Sequence, residues 1–395
     1  MMKDYDWRRS VKCVTIIVGI AEKQEKGEFM KILTVFGTRP EAIKMCPLVL
    51  ELKKHKQLDC KVCLTGQHRE MLRQVMDVFK IREDYNLDIM RRGQTLTTIT
   101  TDVLTGMEKV LDEEQPELVL VHGDTTTSYA AALAAFYKQI PVGHVEAGLR
   151  TGDIYSPFPE EMNRLMTGRI ATWHFAPTKS NLENLQKENI TKNIYVTGNT
   201  VIDAFATTVR EGYQFADEEL QTVDFQGRRV IAVTAHRREN LGEPLKNICE
   251  ALKSIVTRFE DVELVYPVHL NPQVKEPVHV ILGNLPRVHL INPIDVCDMH
   301  NLLARSFMVM TDSGGLQEEA PAFGKPVLVL RTETERPEAV EAGTVKVVGV
   351  DRDVIEKEAE ILLTDPSAYV QMAHAVNPYG DGHASERIAK VLCEV

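Results

Sequence analysis

The run VMTDSGGLQEEAPAFGKPVLVL, residues 309–330, reads as a strand, a tight glycine turn, the start of a helix and a second strand. An apolar segment at 307–310 stops at Thr311-Asp312-Ser313, Gly314 and Gly315 follow, 316–320 is compatible with a helix, and 326–330 is apolar again. Without a Cβ, Gly314 and Gly315 permit positive φ and close approach of a ligand, while the amides of a helix start face outward with the positive end of the dipole. The guest such a turn takes is a phosphate; a plain helix cap is the alternative. Glu318 and Glu319 one turn in, and Arg331 with TERPE (334–338) past the next strand, favour the phosphate. A pyrophosphate would use the amides and Arg336, and ribose hydroxyls a carboxylate such as Glu319.

Outward from this run the same alternation recurs. Toward the N-terminus lie β-rich runs at 288–290, 262–266 and 230–234, separated by helix-like segments at 295–304, 272–282 and 244–259. Beyond a polar stretch (211–229), strands at 31–36, 61–65, 118–122, 142–145, 172–176 and 195–196 alternate with helical segments from 41–54 through 201–210. Further helices are predicted at 354–363 and 384–392. Apolar strands alternating with amphipathic segments predict parallel, doubly wound sheets. A chain of 395 residues exceeds one ordinary core. The expected class is therefore α/β, with two Rossmann-like domains facing a cleft: 30–205, then 206–377, with 378–395 a helix crossing back to the first. Ligands of such sheets bind beyond the carboxyl ends of the strands.

A hydrophobic content of 44% with 26% charged residues is that of a globular protein, and a net charge of −11 argues against a nucleic-acid surface. Seven scattered cysteines fit a reducing compartment, the cytoplasm. Cys60 and Cys63 form a CxxC inside an apparent strand with no second pair, so they read as core residues rather than metal ligands. Residues 1–29 read as an N-terminal extension outside the fold, since the apolar run at 11–20 is short and interrupted. No apolar run is long enough for a membrane span.

The residues just past each strand carry the chemistry. Gly37-Thr38-Arg39-Pro40-Glu41 and Lys44 follow the first strand, where Arg39 and Lys44 suit an anion. HGDTTT (122–127) contains Asp124, which is either functional or an N-cap. Glu146 ends an apolar strand, where an acid has no packing role, and Glu160 opens the next helix, where it would also favour the dipole. In the second domain His236-Arg237-Arg238 suits a diphosphate, and His269 ends a further strand. Zinc-hydrolase, serine-nucleophile, Walker and GxGxxG patterns are absent. Carboxylates on one domain and cations with a helix start on the other describe an enzyme of nucleotide sugars.

GTRPEAIK (37–44), TGQHREML (65–72), HGDTTT (122–127), HVEAGLRTGD (144–153), SPFPEEMNR (156–164), TAHRREN (234–240), YPVHLNP (266–272) and the run from Thr311 to Glu338 together resemble the bacterial non-hydrolysing UDP-N-acetylglucosamine 2-epimerases. The resemblance extends from about residue 30 to the C-terminus. It implies a GT-B-like fold and interconversion of UDP-GlcNAc and UDP-ManNAc in a homodimer, with no metal, no cofactor, and neither nucleic acid nor membrane as partner. By the same resemblance Asp124, Glu146 and Glu160 are the acid/base candidates, with their individual roles open. His236, Arg237, Arg39 and Lys44 would stabilise the diphosphate, with Ser313, Gly314, Gly315 and Arg336 around the phosphate, Glu319 on the ribose and Met299 near the uracil. Gln67, His68, Glu70, Gln94, Glu160, Arg237 and His269 match a second, activating UDP-GlcNAc site. Glu70 stands where some members have Gln, Gly93 where some have Arg, and Met299 where an aromatic is frequent. A hydrolysing epimerase, a GT-B glycosyltransferase and a non-catalytic nucleotide-sugar sensor are the rival readings.

Overall fold

The computed structural model describes residues 29–66, 69–91 and 93–394. The expected extension at 1–29 therefore lies, apart from Phe29, outside the described residues, as do Gln67 and His68.

The apolar runs of the first half form β1 (Met30–Phe36), β2 (Leu58–Leu64), β3 (Tyr85–Asn86), β4 (Leu118–His122), β5 (Val142–Val145), β6 (Trp173–Ala176) and β7 (Ile194–Val196). They make one parallel sheet in the order β3-β2-β1-β4-β5-β6-β7. β4 and β5 are buried at every position, as strands covered by helices on both faces must be, which is why they read as mostly apolar runs, interrupted only by His122 and His144. The helix Arg39–Leu52 after β1 starts with a capping box, Thr38 and Glu41 each serving the other's backbone amide.

The second half repeats the plan with β8 (Arg229–Thr234), β9 (Val262–Pro267), β10 (Val288–Ile291), β11 (Met308–Thr311), β12 (Val327–Val329) and β13 (Val345–Val347), all parallel, in the order β10-β9-β8-β11-β12-β13. The helix Glu243–Arg258 buries Leu245, Ile248, Leu252, Ile255 and Val256 against this sheet, a stripe at helical spacing. Both sheets run outward from a central pair, β1/β4 and β8/β11, so each has its topological switch point there and each presents a crevice at those strands' carboxyl ends. The α/β, doubly wound class read from the alternation is what forms, and two such sheets in one chain are the components of a GT-B-like fold.

The chain divides into two compact units, one running to Ala204 and resuming at Gly382, the other Phe205–Asp381. The return falls at Gly382 rather than at 378 because the intervening residues stay with the second unit. Tyr379 is buried in its core, and the Asn377 amide donates to the Glu318 carbonyl at 3.2 Å. Asp203 then accepts the amides of Ala384 and Ser385 at 3.2 and 2.6 Å, fixing the start of the helix Ala384–Glu394, which packs on Arg39–Leu52. Among the described residues no helix is long and apolar enough to cross a membrane.

Candidate active site

In the first unit the acid/base candidates surround the β1/β4/β5 strand ends. Glu146 follows β5 with φ of +62°, a left-handed conformation that a non-glycine residue adopts at some cost. Its Oε1 lies 2.5 Å from Lys44 Nζ and accepts the Asn199 amide at 3.1 Å, and its Oε2 lies 3.0 Å from His122 Nε2. Burial pushes this carboxyl up, but Lys44 and His122 outweigh it and hold the group well below the ordinary carboxylate range. Lys44, expected at a diphosphate, is thus found on a carboxylate.

Asp124 is not the N-cap: that position belongs to Thr125, whose hydroxyl accepts the Ser128 amide. Asp124 instead meets Arg164, Nη2 to Oδ2 at 2.6 Å, and its carbonyl accepts the Asn163 amide at 2.9 Å. His144, wholly buried on β5, donates from Nε2 to the Gly123 carbonyl at 2.7 Å; burial lowers its pKa to about 3, so it stays neutral and holds the turn that carries Asp124. Glu160 opens the helix Glu160–Ile170, after cis peptide bonds preceding Pro157 and Pro159. Arg39 is half-buried in the first turn of its helix.

In the second unit the β8 and β11 ends are joined by Asp312. This fully buried carboxylate accepts the backbone amides of His236 and Arg237 at 2.7 and 2.8 Å and the Asn240 side-chain amide at 3.0 Å. The His236 ring stacks on His269 with centroids 5.3 Å apart and the ring planes nearly parallel. Desolvation, with His269 and Arg237 beside it, lowers the His236 imidazole below its ordinary value against the pull of Asp312. Ser313 caps the helix Gly314–Glu319 without a side-chain hydrogen bond to it.

Neither Gly314 nor Gly315 adopts positive φ, so conformational freedom is not why they are glycines. A Cβ at Gly314 would only make ordinary contact with Arg336 Nη2 at 3.6 Å and Arg237 Nη2 at 3.7 Å, which locates both guanidinium groups beside this residue. Two guanidinia therefore converge over one helix start. Arg336 is buried and anchored through Nε to Glu318. Glu319 lies 3.5 Å from Nε2 of buried His300, whose Nδ1 pairs with Thr208 at 2.7 Å. Met299 is half-buried against the core that contains Ile294.

The residues matched to an activating site are only partly described. Gln94, in the first unit, donates to the Ile89 carbonyl at 2.6 Å and accepts the Arg91 amide. Glu70 lies in the first turn of the helix Arg69–Val78. Arg237 and His269 belong to the second unit. Among the described residues no group of three His, Cys, Asp or Glu side chains is arranged to hold a metal.

A profile of the family described as UDP-N-acetylglucosamine 2-epimerase matches residues 50–393. The chain belongs to the UDP-N-acetylglucosamine 2-epimerase family. It is 58% identical to the UDP-N-acetylglucosamine 2-epimerase of Bacillus subtilis, over 92% of this chain and 95% of that protein. A crystal structure of a putative UDP-N-acetylglucosamine 2-epimerase from Listeria monocytogenes is similar at 52% identity and TM-score 0.87, covering 92% and 96% of the two chains. That of the Neisseria meningitidis UDP-GlcNAc 2-epimerase, bound to UDP-GlcNAc, is similar at 48% identity and TM-score 0.85, covering 93% of this chain and all of the other. The chain is accordingly an enzyme of this epimerase family.

Several residues that make buried contacts around the candidate site were not singled out from sequence. Glu41 is buried and accepts the amides of Gly37 and Thr38 at 2.9 and 2.7 Å and the hydroxyls of Thr125 and Ser128, both at 2.7 Å, so one carboxylate ties the β1 loop to the β4 loop. Its capping-box spacing from Thr38 was the available signal. His122, His144, Asn199, Asp312 and His300 act through contacts across the sheet and carry no local pattern.

Proposed function

We propose that this enzyme interconverts UDP-GlcNAc and UDP-ManNAc at C2 by eliminating UDP and adding it back. The observation that carries this reading is the pair of guanidinia, Arg237 and Arg336, over Gly314. Glu318 offsets part of the charge, and two guanidinium groups directed at one helix start suit a multiply charged anion such as a diphosphate. The C2 hydrogen of the hexose has no adjacent carbonyl to acidify it, so the leaving group must depart first or in concert. A base takes the C2 proton, the C1–O bond breaks with its electron pair going to UDP, and a C1=C2 double bond forms as a 2-acetamidoglycal. Protonation of C2 on the opposite face and attack of UDP at C1 give the epimer.

In this reading Asp124, Glu146 and Glu160 supply base and acid. His236, Arg237, Arg336 and Arg39, with Ser313, Gly314 and Gly315, hold the diphosphate. Glu319, steadied by His300, takes the ribose, and Met299 borders the uracil. Lys44 acts on Glu146 rather than on phosphate, as their 2.5 Å separation supports. The enzyme works in the cytoplasm as a homodimer, supplies ManNAc units for a cell-surface polysaccharide, and is activated by a second UDP-GlcNAc on Gln67, His68, Glu70, Gln94, Glu160, Arg237 and His269. The UDP-GlcNAc bound to the Neisseria meningitidis relative supports the ligand class.

The test is incubation with UDP-GlcNAc in deuterated water followed by NMR of the sugar. Deuterium at C2 together with a manno signal is the expected result. Release of free ManNAc and UDP would mark a hydrolysing enzyme instead, and retention of the C2 proton would end the elimination mechanism. A sigmoidal rate curve in UDP-GlcNAc, with little turnover of UDP-ManNAc alone, is expected for activation; a hyperbolic curve removes it.

A further inference from the structure

We propose that Arg164, itself held by Glu161, is a positioning residue that keeps Asp124 an aimed carboxylate, so that Asp124 is the group that takes the C2 proton in one direction of turnover. This rests on the epimerase mechanism above. The geometry is a buried chain. Glu161 Oε1 accepts the amides of Thr151 and Gly152, both at 3.1 Å, and its Oε2 lies 3.1 Å from Arg164 Nη1. Arg164 Nη2 then reaches Asp124 Oδ2 at 2.6 Å. Glu161 and Arg164 are 1% and 5% exposed, so the fork cannot swing out to water, whereas the Asp124 side chain is 28% exposed. With one guanidinium nitrogen committed to Glu161, the other is fixed in direction.

A plain structural pair fastening the helix Glu160–Ile170 to the β4 loop is the competing account. Asn163 already supplies that fastening, because its amide holds the Asp124 carbonyl at 2.9 Å. Arg164 adds only a contact to the carboxylate, and only to Oδ2. The ion pair is made through Oδ2, and the Asp124 side chain keeps 28% of its surface exposed. A carboxylate is a weak base toward carbon, and a weak one suffices here: as UDP leaves, positive charge develops at C1 and acidifies C2. What the step requires is that the carboxylate be ionised and directed. The proton then passes from C2 to Asp124, and the C–H electron pair becomes the C1=C2 bond as the C1–O pair leaves with UDP.

The experiment compares Arg164→Gln, Arg164→Lys and Glu161→Gln with the wild type, using UDP-GlcNAc and its C2-deuterated form. Arg164→Gln is expected to lower kcat by roughly 10²-fold with KM within about threefold, the pattern of an interaction made in the transition state. It should also enlarge the C2 deuterium isotope effect, since proton abstraction becomes the slow step. Arg164→Lys should recover part of kcat, and Glu161→Gln should show the same pattern more weakly. Arg169→Gln, an exposed arginine on the same helix, should match the wild type. An unchanged kcat, a loss confined to KM, or a lower kcat with an unaltered isotope effect in Arg164→Gln overturns the proposal. Should that variant fail to bind UDP or to fold, Glu161→Gln and Arg164→Lys are judged by the same readouts. If the wild type itself exchanges no C2 proton with solvent, it is the epimerase mechanism that fails, not this assignment alone.

Discussion

Lys44→Met separates two roles for one cation. Lys44 and Glu146 form a pair at 2.5 Å with side chains only 14% and 11% exposed. Removing one member of a buried pair strands the other charge, which destabilises by about 3–5 kcal/mol. His122 at 3.0 Å and the Asn199 amide at 3.1 Å remain on Glu146, which puts the expectation at the low end, about 3 kcal/mol. The pH dependence follows with a definite sign. Desolvation raises the Glu146 carboxyl, and Lys44 with His122 brings it well below its ordinary 4.5. In the wild type the pair therefore stabilises above the unfolded-state value, and that contribution is lost as pH falls through the lower folded-state value. Without Lys44 the folded-state value rises, so the variant loses stability near neutrality and loses less on acidification below about pH 5. Denaturant unfolding at neutral and acid pH measures this, with calorimetric titration of UDP alongside. Glu146→Gln in the same background should recover part of the loss. Unchanged stability at neutral pH together with a tenfold or greater fall in UDP affinity would show that Lys44 serves phosphate, and the argument would be wrong.

Gly314→Val places methyl groups between the Arg237 and Arg336 guanidinia; loss of one charged contact at about 1.5–3 kcal/mol predicts UDP binding weakened by roughly tenfold or more in calorimetry. Asp312→Ala leaves two backbone amides and the Asn240 amide without their acceptor. It should destabilise the second unit by about 2–4 kcal/mol and speed hydrogen exchange at His236 and Arg237, while Asp312→Asn, which keeps an acceptor, should do so less. His144 should remain neutral and protonated on Nε2 down to about pH 5 in nitrogen NMR, given its folded value of about 3. Because that value lies below the unfolded one, His144 favours the fold above about pH 6.5 and the contribution is lost on acidification; His144→Gln should flatten that part of the stability curve.

Much of the fold is legible because parallel strands covered on both faces are buried at every position and mostly apolar, as at 118–121 and, His144 apart, 142–145, and because helix starts announce themselves, as Thr38 and Glu41 do. What escapes notice has no periodicity to show. β3 is two residues long and exists only by pairing with Cys63 and Leu64. β13 spans three residues, Val345–Val347, and the helix Pro366–Ala373 buries none of its residues, so no apolar stripe betrays it.

The site divides along the same line. That carboxylates and cations stand at strand ends can be read from one dimension, since strand ends can. Which cation meets which carboxylate cannot, because the partners are remote in sequence: Lys44 and Glu146 are 102 residues apart, Asp124 and Arg164 forty. Glu160 and Glu161 show the consequence. They are adjacent, chemically almost identical, and both in the first turn of one helix. Rotation about the helix axis decides between them, turning Glu161 inward onto Arg164 one turn later and leaving Glu160 half-exposed. A charge pattern therefore locates the chemistry, while the division into groups that react and groups that aim them is set by packing.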